Sequence, residues 1–141
     1  LECIRKNSYD QFYNEHIYLF SALSVKDLIK KFNLEIFDIK NLETHGGSLR
    51  YYIKRKINKT ITISKNVNKQ IKKEIIFGLN KFSRFQKFSK KVQLSKIKFL
   101  NILNKLKNQK KPVVGYGATA KAVTVLNYCN INNDLISNFI D

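Results

Sequence analysis

The sequence lacks methionine and tryptophan, and its 141 residues include one proline, five glycines and two cysteines. The cysteines, Cys3 and Cys129, lie far apart and form no CxxC pair, which excludes a disulfide framework and a zinc site of that kind. No apolar run approaches the ~18–20 residues that cross a bilayer, and no short apolar segment with a cleavage site opens the chain. These absences argue against membrane insertion and export and favour a reduced, cytoplasmic compartment. Because the sequence starts at Leu1 rather than at methionine, we expect it to be an excerpt of a longer protein.

Acidic residues are also scarce, since 10 Asp and Glu stand against 27 Lys and Arg, for a formal net charge of +17. A basic surface releases counterions when it neutralises phosphates, so the charge is compatible with nucleic-acid binding. Arginine is the better bidentate reader of bases and phosphates, yet it supplies only four of the 27 cations. Lys, Asn and Ile are abundant, as an AT-biased coding sequence would produce. We therefore disfavour nucleic acid as the main partner.

The hydrophobic content of 43% is sufficient for a core, and its periodicity predicts a mixed α/β fold. An N-cap at Ser24 and a stop at Asn33 bound one predicted amphipathic helix. Two strands are predicted next, over 34–39 and 48–53, with period-two alternation in the first. The glycines of the turn over 45–47 permit positive φ angles, so this segment is predicted to form an antiparallel pair.

Two lysine-rich helices are predicted between Lys54 and Lys111, where Glu74 is the only acid. The first is indicated by apolar residues four apart, and the second by a helical stripe that runs as far as Asn108. We interpret both stripes as residues that pack against their own domain rather than as surfaces that dock a partner helix. The residues of the two stripes are Val67, Ile71, Ile75 and Leu79, and then Phe85, Phe88, Val92, Phe99, Leu103 and Leu106.

The last thirty residues have the pattern of a βαβ unit, with a strand over 112–117, a helix over 118–128 and a strand from 138. Gly115, Gly117 and Ala120 match G-x-G-x-x-G/A, a pattern that lets backbone N–H groups approach a phosphate at a helix N-terminus. Asp141 lies where an acid that binds ribose is expected. From these residues alone, a phosphate site and a purely structural turn are both possible.

Three segments together resemble one family. Residues 9–21, with Tyr13-Asn14-Glu15-His16 at their centre, are similar to its aromatic "YHEH" segment followed by "YFS". Residues 44–50 are similar to its "HGGSLR" hairpin, and residues 114–121 to its "GYGAxAK" turn. The family is the S-adenosylmethionine-dependent sugar C-methyltransferases that act on nucleotide-linked 4-keto sugars.

The resemblance implies an α/β chain that joins two Rossmann-like domains. Residues 1–57 would end a class I methyltransferase domain, residues 58–111 would be a helical connection, and residues 112–141 would start the C-terminal Rossmann-like domain. The S-adenosylmethionine site would lie mostly upstream of Leu1, as would a zinc-binding cysteine cluster. Within this chain we expect no metal ligands and no activity in isolation.

The family's chemistry implies roles for the aromatic segment. Methylation of a carbon next to a keto group requires a base, for which histidine has a suitable pKa, and His16 is the candidate. Glu15 would orient its imidazole or hold a sugar hydroxyl, and Tyr13 would donate to the keto oxygen or enolate. Asn14 departs from the family, which usually has histidine there, and alternation in an extended segment would point it away from Tyr13 and Glu15. Without the resemblance, His16 would be interpreted as a structural histidine.

The hairpin is the second implied site. His45, Gly46, Gly47 and Arg50 would line the cleft for the nucleoside-diphosphate sugar, with Arg50 available to the diphosphate. The alternative is a pair of turn glycines beside a solvated arginine, and the two interpretations have similar weight.

The glycine turn is the third implied site, with Gly115, Gly117 and Lys121 near substrate phosphate. In a lysine-rich protein, Lys121 can equally be a solvated charge. Two other functions stay open at this stage: a dinucleotide (NAD-type) module built on residues 112–141, and a basic nucleic-acid-binding protein. The cysteines are interpreted as small buried apolar residues.

Overall fold

A computed structural model describes all 141 residues, which form five α-helices and four β-strands. Two compact units share the chain. The first contains Leu1–Lys6 and Phe20–Gln86, and the second contains Asn7–Leu19 and Lys87–Asp141. Each unit holds helices and a two-stranded sheet, so the predicted mixed α/β class is confirmed. None of the helices combines the length and the apolarity that crossing a membrane requires.

The elements follow one another with short connections. The helices are α1 (Glu2–Lys6), α2 (Ala22–Lys30), α3 (Lys65–Phe77), α4 (Phe82–Asn108) and α5 (Ala120–Cys129). The strands are β1 (Leu34–Leu42), β2 (Ser48–Arg55), β3 (Val114–Tyr116) and β4 (Asn138–Ile140). Single 3₁₀ turns cover Tyr9–Gln11 and Thr44–Gly46.

Helix α2 starts three residues earlier than its sequence suggests. Ser21 is the N-cap, and Ser24 is the third helical residue of a capping box in which each serine side chain binds the other's backbone N–H. Both serines satisfy the local rule for a cap, so the sequence pattern did not distinguish them. The stop near Asn33 is confirmed, because that residue adopts a φ of 55° just before β1.

The hairpin of β1 and β2 is antiparallel as predicted, with Leu34 opposite Arg55 and Leu42 opposite Ser48. A bulge between Ile36 and Asp38 interrupts the predicted period of two. It brings Ile36 and Ile39, three residues apart, to the buried face. The first unit's core forms where α2 and α3 cover this face. Its buried members are Ala22, Val25, Ile29, Ile36, Ile39 and Val67.

Helix α3 buries a different face from the predicted stripe. Val67 is buried as expected, but Gln70 and Glu74 are buried with it, whereas Ile75 is 44% exposed. This face of α3 is buried because the carboxylate of Glu74 accepts hydrogen bonds from backbone N–H groups at the start of α2. Gly78 ends α3 in the left-handed conformation at a φ of 90°.

The second unit combines residues 7–19, which include the aromatic segment up to Leu19, most of α4 and the βαβ elements. Strands β3 and β4 are parallel, with Gly115 opposite Phe139, and α5 connects them. Thr119 caps α5, whose first helical residue is Ala120, two residues later than predicted. On the predicted α4 stripe, Val92 and Leu103 are buried, whereas Phe85 is 42% exposed.

Candidate functional site

The aromatic segment contains a tight turn at the candidate base. The backbone N–H of His16 donates to the carbonyl of Tyr13 at 2.8 Å, and this bond closes the turn. The same turn brings the two side chains together, with 3.2 Å between the Tyr13 hydroxyl and His16 Nε2 and 4.3 Å between the ring centroids. A phenol hydroxyl and an imidazole nitrogen therefore share one small volume.

The turn also determines which side chains of this segment face solvent. Tyr13 and His16 are half-buried, whereas Asn14 and Glu15 between them are exposed. The expectation of an extended segment with alternating side chains is therefore wrong, because the hydrogen bond from residue 16 to residue 13 curls the chain. Asn14 and Glu15 share the solvent side. The proposed orienting role of Glu15 stays a prediction, and His16 Nε2 pairs with the Tyr13 hydroxyl.

The hairpin turn lies in the first unit and consists of three successive residues with positive φ. The φ angles are 52° at His45, 79° at Gly46 and 122° at Gly47, so the expected freedom of the two glycines is used. His45 and Arg50 are both exposed, His45 in the turn and Arg50 on β2. The turn thus presents an imidazole and exposed backbone to solvent, with a guanidinium on the adjoining strand.

Helix α1 contacts this turn, and the sequence did not indicate that contact. The ammonium group of Lys6 donates to the carbonyl of Gly46 at 2.5 Å. A Cβ added at Gly47 would lie 3.0 Å from Cγ of Glu2, which would have to shift slightly, and the φ of 122° at this position favours glycine. Hydrogen bonding to Arg5 lowers the pKa of Glu2 and keeps it ionised. About forty residues separate α1 from the turn, and no local pattern connects them.

In the second unit, two backbone N–H groups of the glycine turn already have acceptors within the chain. Gly117 N donates to the carbonyl of Ile140 at 2.7 Å, and Ala118 N donates to Oδ1 of Asp141 at 3.3 Å. A Cβ on Gly115 would lie 2.2 Å from the Phe139 ring, so this glycine is required by packing. The acid expected to bind ribose thus occupies the turn itself, and this arrangement favours the structural interpretation of the motif.

Lys121 lies in the first turn of α5 and is half-buried. The same helix contacts the aromatic segment, since the Thr124 hydroxyl lies 3.2 Å from the carbonyl oxygen of Phe12. The second unit therefore contains both the Tyr13–His16 turn and the glycine turn.

The cysteines differ from each other. Cys129 is 1% exposed, as expected, and its Sγ lies 3.8 Å from the Tyr9 hydroxyl, whereas Cys3 is only half-buried. Burial and this hydrogen bond raise the pKa of Tyr9 to about 12. Three or more His, Cys, Asp or Glu side chains do not gather anywhere as a metal site would require.

Comparison with known proteins agrees with these motifs. A sequence model of the C-methyltransferase C-terminal domain matches residues 43–141. The chain belongs to this family. The C-methyltransferase match includes the hairpin turn and the glycine turn, and the aromatic segment precedes it. The resemblance inferred from the three motifs is thereby confirmed.

One curated relative is the C-methyltransferase NovU of Streptomyces niveus. It is 21% identical to this chain over 136 residues, which cover 96% of this chain and 32% of NovU. The chain thus spans about a third of the length of that C-methyltransferase, and the aligned part includes most of the N-terminal residues that the family match omits.

Proposed function

We propose that this chain is part of a cytoplasmic, S-adenosylmethionine-dependent methyltransferase that methylates C3 of a nucleoside-diphosphate-linked 4-keto-deoxysugar. In this proposal, residues 1–57 end the methyltransferase domain, residues 58–111 connect it, and residues 112–141 start a second Rossmann-like domain. Membership of the C-methyltransferase family supports the reaction class.

The observation that carries the proposal is the 3.2 Å distance between the Tyr13 hydroxyl and His16 Nε2. In a 4-keto sugar, the C3–H bond to be broken and the keto oxygen are on adjacent carbons. A base and a hydrogen-bond donor must therefore be neighbours to act on both. Tyr13 and His16 meet this requirement, and their rings are held by the turn rather than by long flexible side chains.

His16 would take the C3 proton on an imidazole nitrogen and become imidazolium. The electron pair of the C–H bond moves toward the keto group and forms an enolate, whose oxygen accepts a hydrogen bond from the Tyr13 hydroxyl. The half-buried position of both rings strengthens this electrostatic stabilisation, because the local dielectric is lower than in water. Glu15, exposed beside them, is assigned to a sugar hydroxyl.

S-adenosylmethionine does not fit the glycine turn of this chain. The N–H groups of Gly117 and Ala118 already have acceptors, and the carboxylate of Asp141 would repel a ligand carboxylate or phosphate. The same contacts count against a dinucleotide (NAD-type) module. We therefore assign the methyl donor to residues outside this chain. Zinc is likewise assigned outside it.

The nucleotide part of the substrate needs cationic and hydrogen-bonding groups. His45 and the exposed backbone at Gly46 and Gly47 are assigned to the substrate, and Arg50 on the adjoining strand to its diphosphate. In the second unit, Lys121 is proposed as a cation for phosphate, whereas Gly115 and Gly117 are assigned a structural role, because the Asp141 carboxylate already occupies their turn.

A hydrogen-exchange assay in D₂O tests the base without the methyl donor. The full-length gene product is mixed with the 4-keto sugar nucleotide, and deuterium uptake at C3 is followed by mass spectrometry. We expect His16→Ala to slow exchange and turnover by about 10²–10⁴-fold, the range typical of a general base.

The neighbouring exposed residue gives the matched control, since Asn14→Ala should exchange and turn over normally. Tyr13→Phe should keep the base and lose the donor, with a smaller decrease in exchange. If His16→Ala exchanged C3–H at the normal rate, His16 would have no role as the base.

A further inference from the structure

The aromatic segment makes its contacts within the second unit, although the proposed domain division places it with the methyltransferase domain. Asn7–Leu19 forms a compact unit with Lys87–Asp141. The candidate base is therefore held by elements that match the C-terminal domain of the family. The contacts of this segment show how it is held.

Three residues of α5 face the segment. The Thr124 hydroxyl lies 3.2 Å from the Phe12 carbonyl oxygen, one residue before the Tyr13–His16 turn, and 3.2 Å from the Ala120 carbonyl oxygen of its own helix, so the two acceptors share its proton. One helical turn later, the ring of Tyr128 packs on the ring of Tyr9 with 5.3 Å between centroids. Residues four apart share a helix face, so these two contacts attach the segment to one line along α5. Cys129 adds the contact to the Tyr9 hydroxyl.

Helix α4 supports the same segment. Phe88 packs on Phe12 with 6.4 Å between ring centroids. Lys96 donates to the carbonyl of Tyr128 at 2.8 Å, and its ammonium group lies 5.1 Å from the centroid of the Tyr128 ring. The ammonium group of Lys96 therefore stabilises the partial negative charge on the carbonyl groups at the C-terminus of α5. The face of α5 that carries the segment is thus itself held in place by α4.

We propose that α5 holds the Tyr13–His16 turn in its reactive geometry, and that Thr124 and Tyr128 are positioning residues for His16. The inference rests on the proposed function, because it assigns these contacts to the base. The C-terminal domain then takes part in catalysis through the position of the base. Phe12, bonded to Thr124, is adjacent to Tyr13, so a displacement of the segment moves both rings of the pair.

A structural test uses the two histidines of this chain as reporters. In the full-length gene product, the imidazole C–H NMR signals of His16 in the second unit and His45 in the first are assigned from the variants His16→Gln and His45→Gln, so each unit has one reporter. We expect Thr124→Val, which keeps the shape and loses the hydroxyl, to shift the His16 signals and leave those of His45 in place. Thr124→Ser should restore the wild-type His16 signals.

A second pair of variants tests the ring contact. Tyr128→Leu should shift the His16 signals, and Tyr128→Phe, which keeps the ring, should leave them close to wild type. The matched control is Thr60→Val in the first unit, which loses the hydroxyl bonded to Asn58 at 2.7 Å without touching the segment. If the Tyr128 variant does not fold, as judged by circular dichroism, Thr124→Val decides the test.

In the full-length gene product, we expect Thr124→Val and Tyr128→Leu to lower kcat and the rate of C3–H exchange by up to about 100-fold, with KM for the sugar nucleotide little changed. Thr124→Ser should recover most of the rate. Unmoved His16 signals together with normal exchange in both variants would overturn the positioning role. If His16→Ala exchanged normally, the proposed function would fail instead, so the two failures are distinguishable.

Discussion

Tyr51 on β2 has a buried hydroxyl that forms no hydrogen bond. Burial and the charge of the nearby Glu74 raise the pKa of this phenol above its ordinary value of 10.0. The folded state therefore retains the proton at pH values where the unfolded chain has lost it. The proton-linked part of the free energy of unfolding that comes from this phenol is fully present below about pH 10 and is lost as the pH rises beyond that value.

Tyr51→Phe removes the hydroxyl and its titration. We expect the variant to match or exceed wild-type stability by up to about 1 kcal/mol at neutral pH, because a buried group without a partner costs free energy. Wild type should also lose more stability than the variant between about pH 8 and about pH 11. Urea unfolding followed by circular dichroism measures both effects. Tyr116→Phe, at a residue that is 91% exposed, is the control and should show neither.

At the scale of elements, the start of α2 depends on a residue of α3. Glu74 is fully buried, and its two carboxylate oxygens accept from the backbone N–H groups of Ala22 and Leu23 at 3.0 Å each. Gln70, one turn earlier, donates to the same carboxylate at 2.9 Å. A helix N-terminus carries unsatisfied N–H groups and partial positive charge, so it stabilises this buried anion without a basic partner.

Glu74→Ala leaves two N–H groups at the start of α2 without this acceptor. We expect the free energy of unfolding to fall by about 1–3 kcal/mol for each group left buried and unpaired. Glu74→Gln keeps one carbonyl oxygen as an acceptor, so it should lose less. The control is Glu43→Gln at an exposed position, which should change stability by less than about 0.5 kcal/mol. Equal stability of wild type and Glu74→Ala, measured by urea unfolding, would show that this contact does not support α2.

At the scale of the whole molecule, the net charge of +17 is the dominant property. On α4 the lysines Lys90, Lys91 and Lys98 are exposed. Charge of this kind attracts polyanions without reading their sequence. It is therefore distinct from the chemistry proposed for the aromatic segment.

We expect this chain to bind duplex DNA weakly at low salt and without sequence preference. Fluorescence anisotropy of labelled duplexes should show binding at about 50 mM salt that is lost by about 200 mM, as counterion release predicts. Replacing Lys90, Lys91 and Lys98 by Glu should weaken it further and leave the C3–H exchange of the full-length gene product unchanged. Binding that persists at the higher salt and distinguishes between sequences would instead support a nucleic-acid function.

Local patterns predicted most of the elements because their signals depend on neighbouring residues. Apolar spacing predicted α3 and α4, and positive φ at Gly46 and Gly47 followed from glycine in a turn. The predictions failed for three reasons: a distant residue changed the packing, two local solutions were equivalent, or a local turn formed that the spacing did not show, as between Tyr13 and His16. The buried face of α3 is rotated toward Glu74 because that carboxylate binds α2, and Ser21 and Ser24 satisfied the same capping rule.

By itself, the sequence determined the mixed α/β class, the family and the residues that could carry chemistry, because these depend on residue type and local spacing. Only the tertiary structure decided that Tyr13 and His16 meet within hydrogen-bond distance, and that Asp141 takes up an N–H group of the glycine turn. It also decided that the aromatic segment packs on α5, more than a hundred residues away. The last two contacts join residues far apart in the chain, which meet only when it folds, and the first depends on a tight turn that residue type and spacing do not reveal.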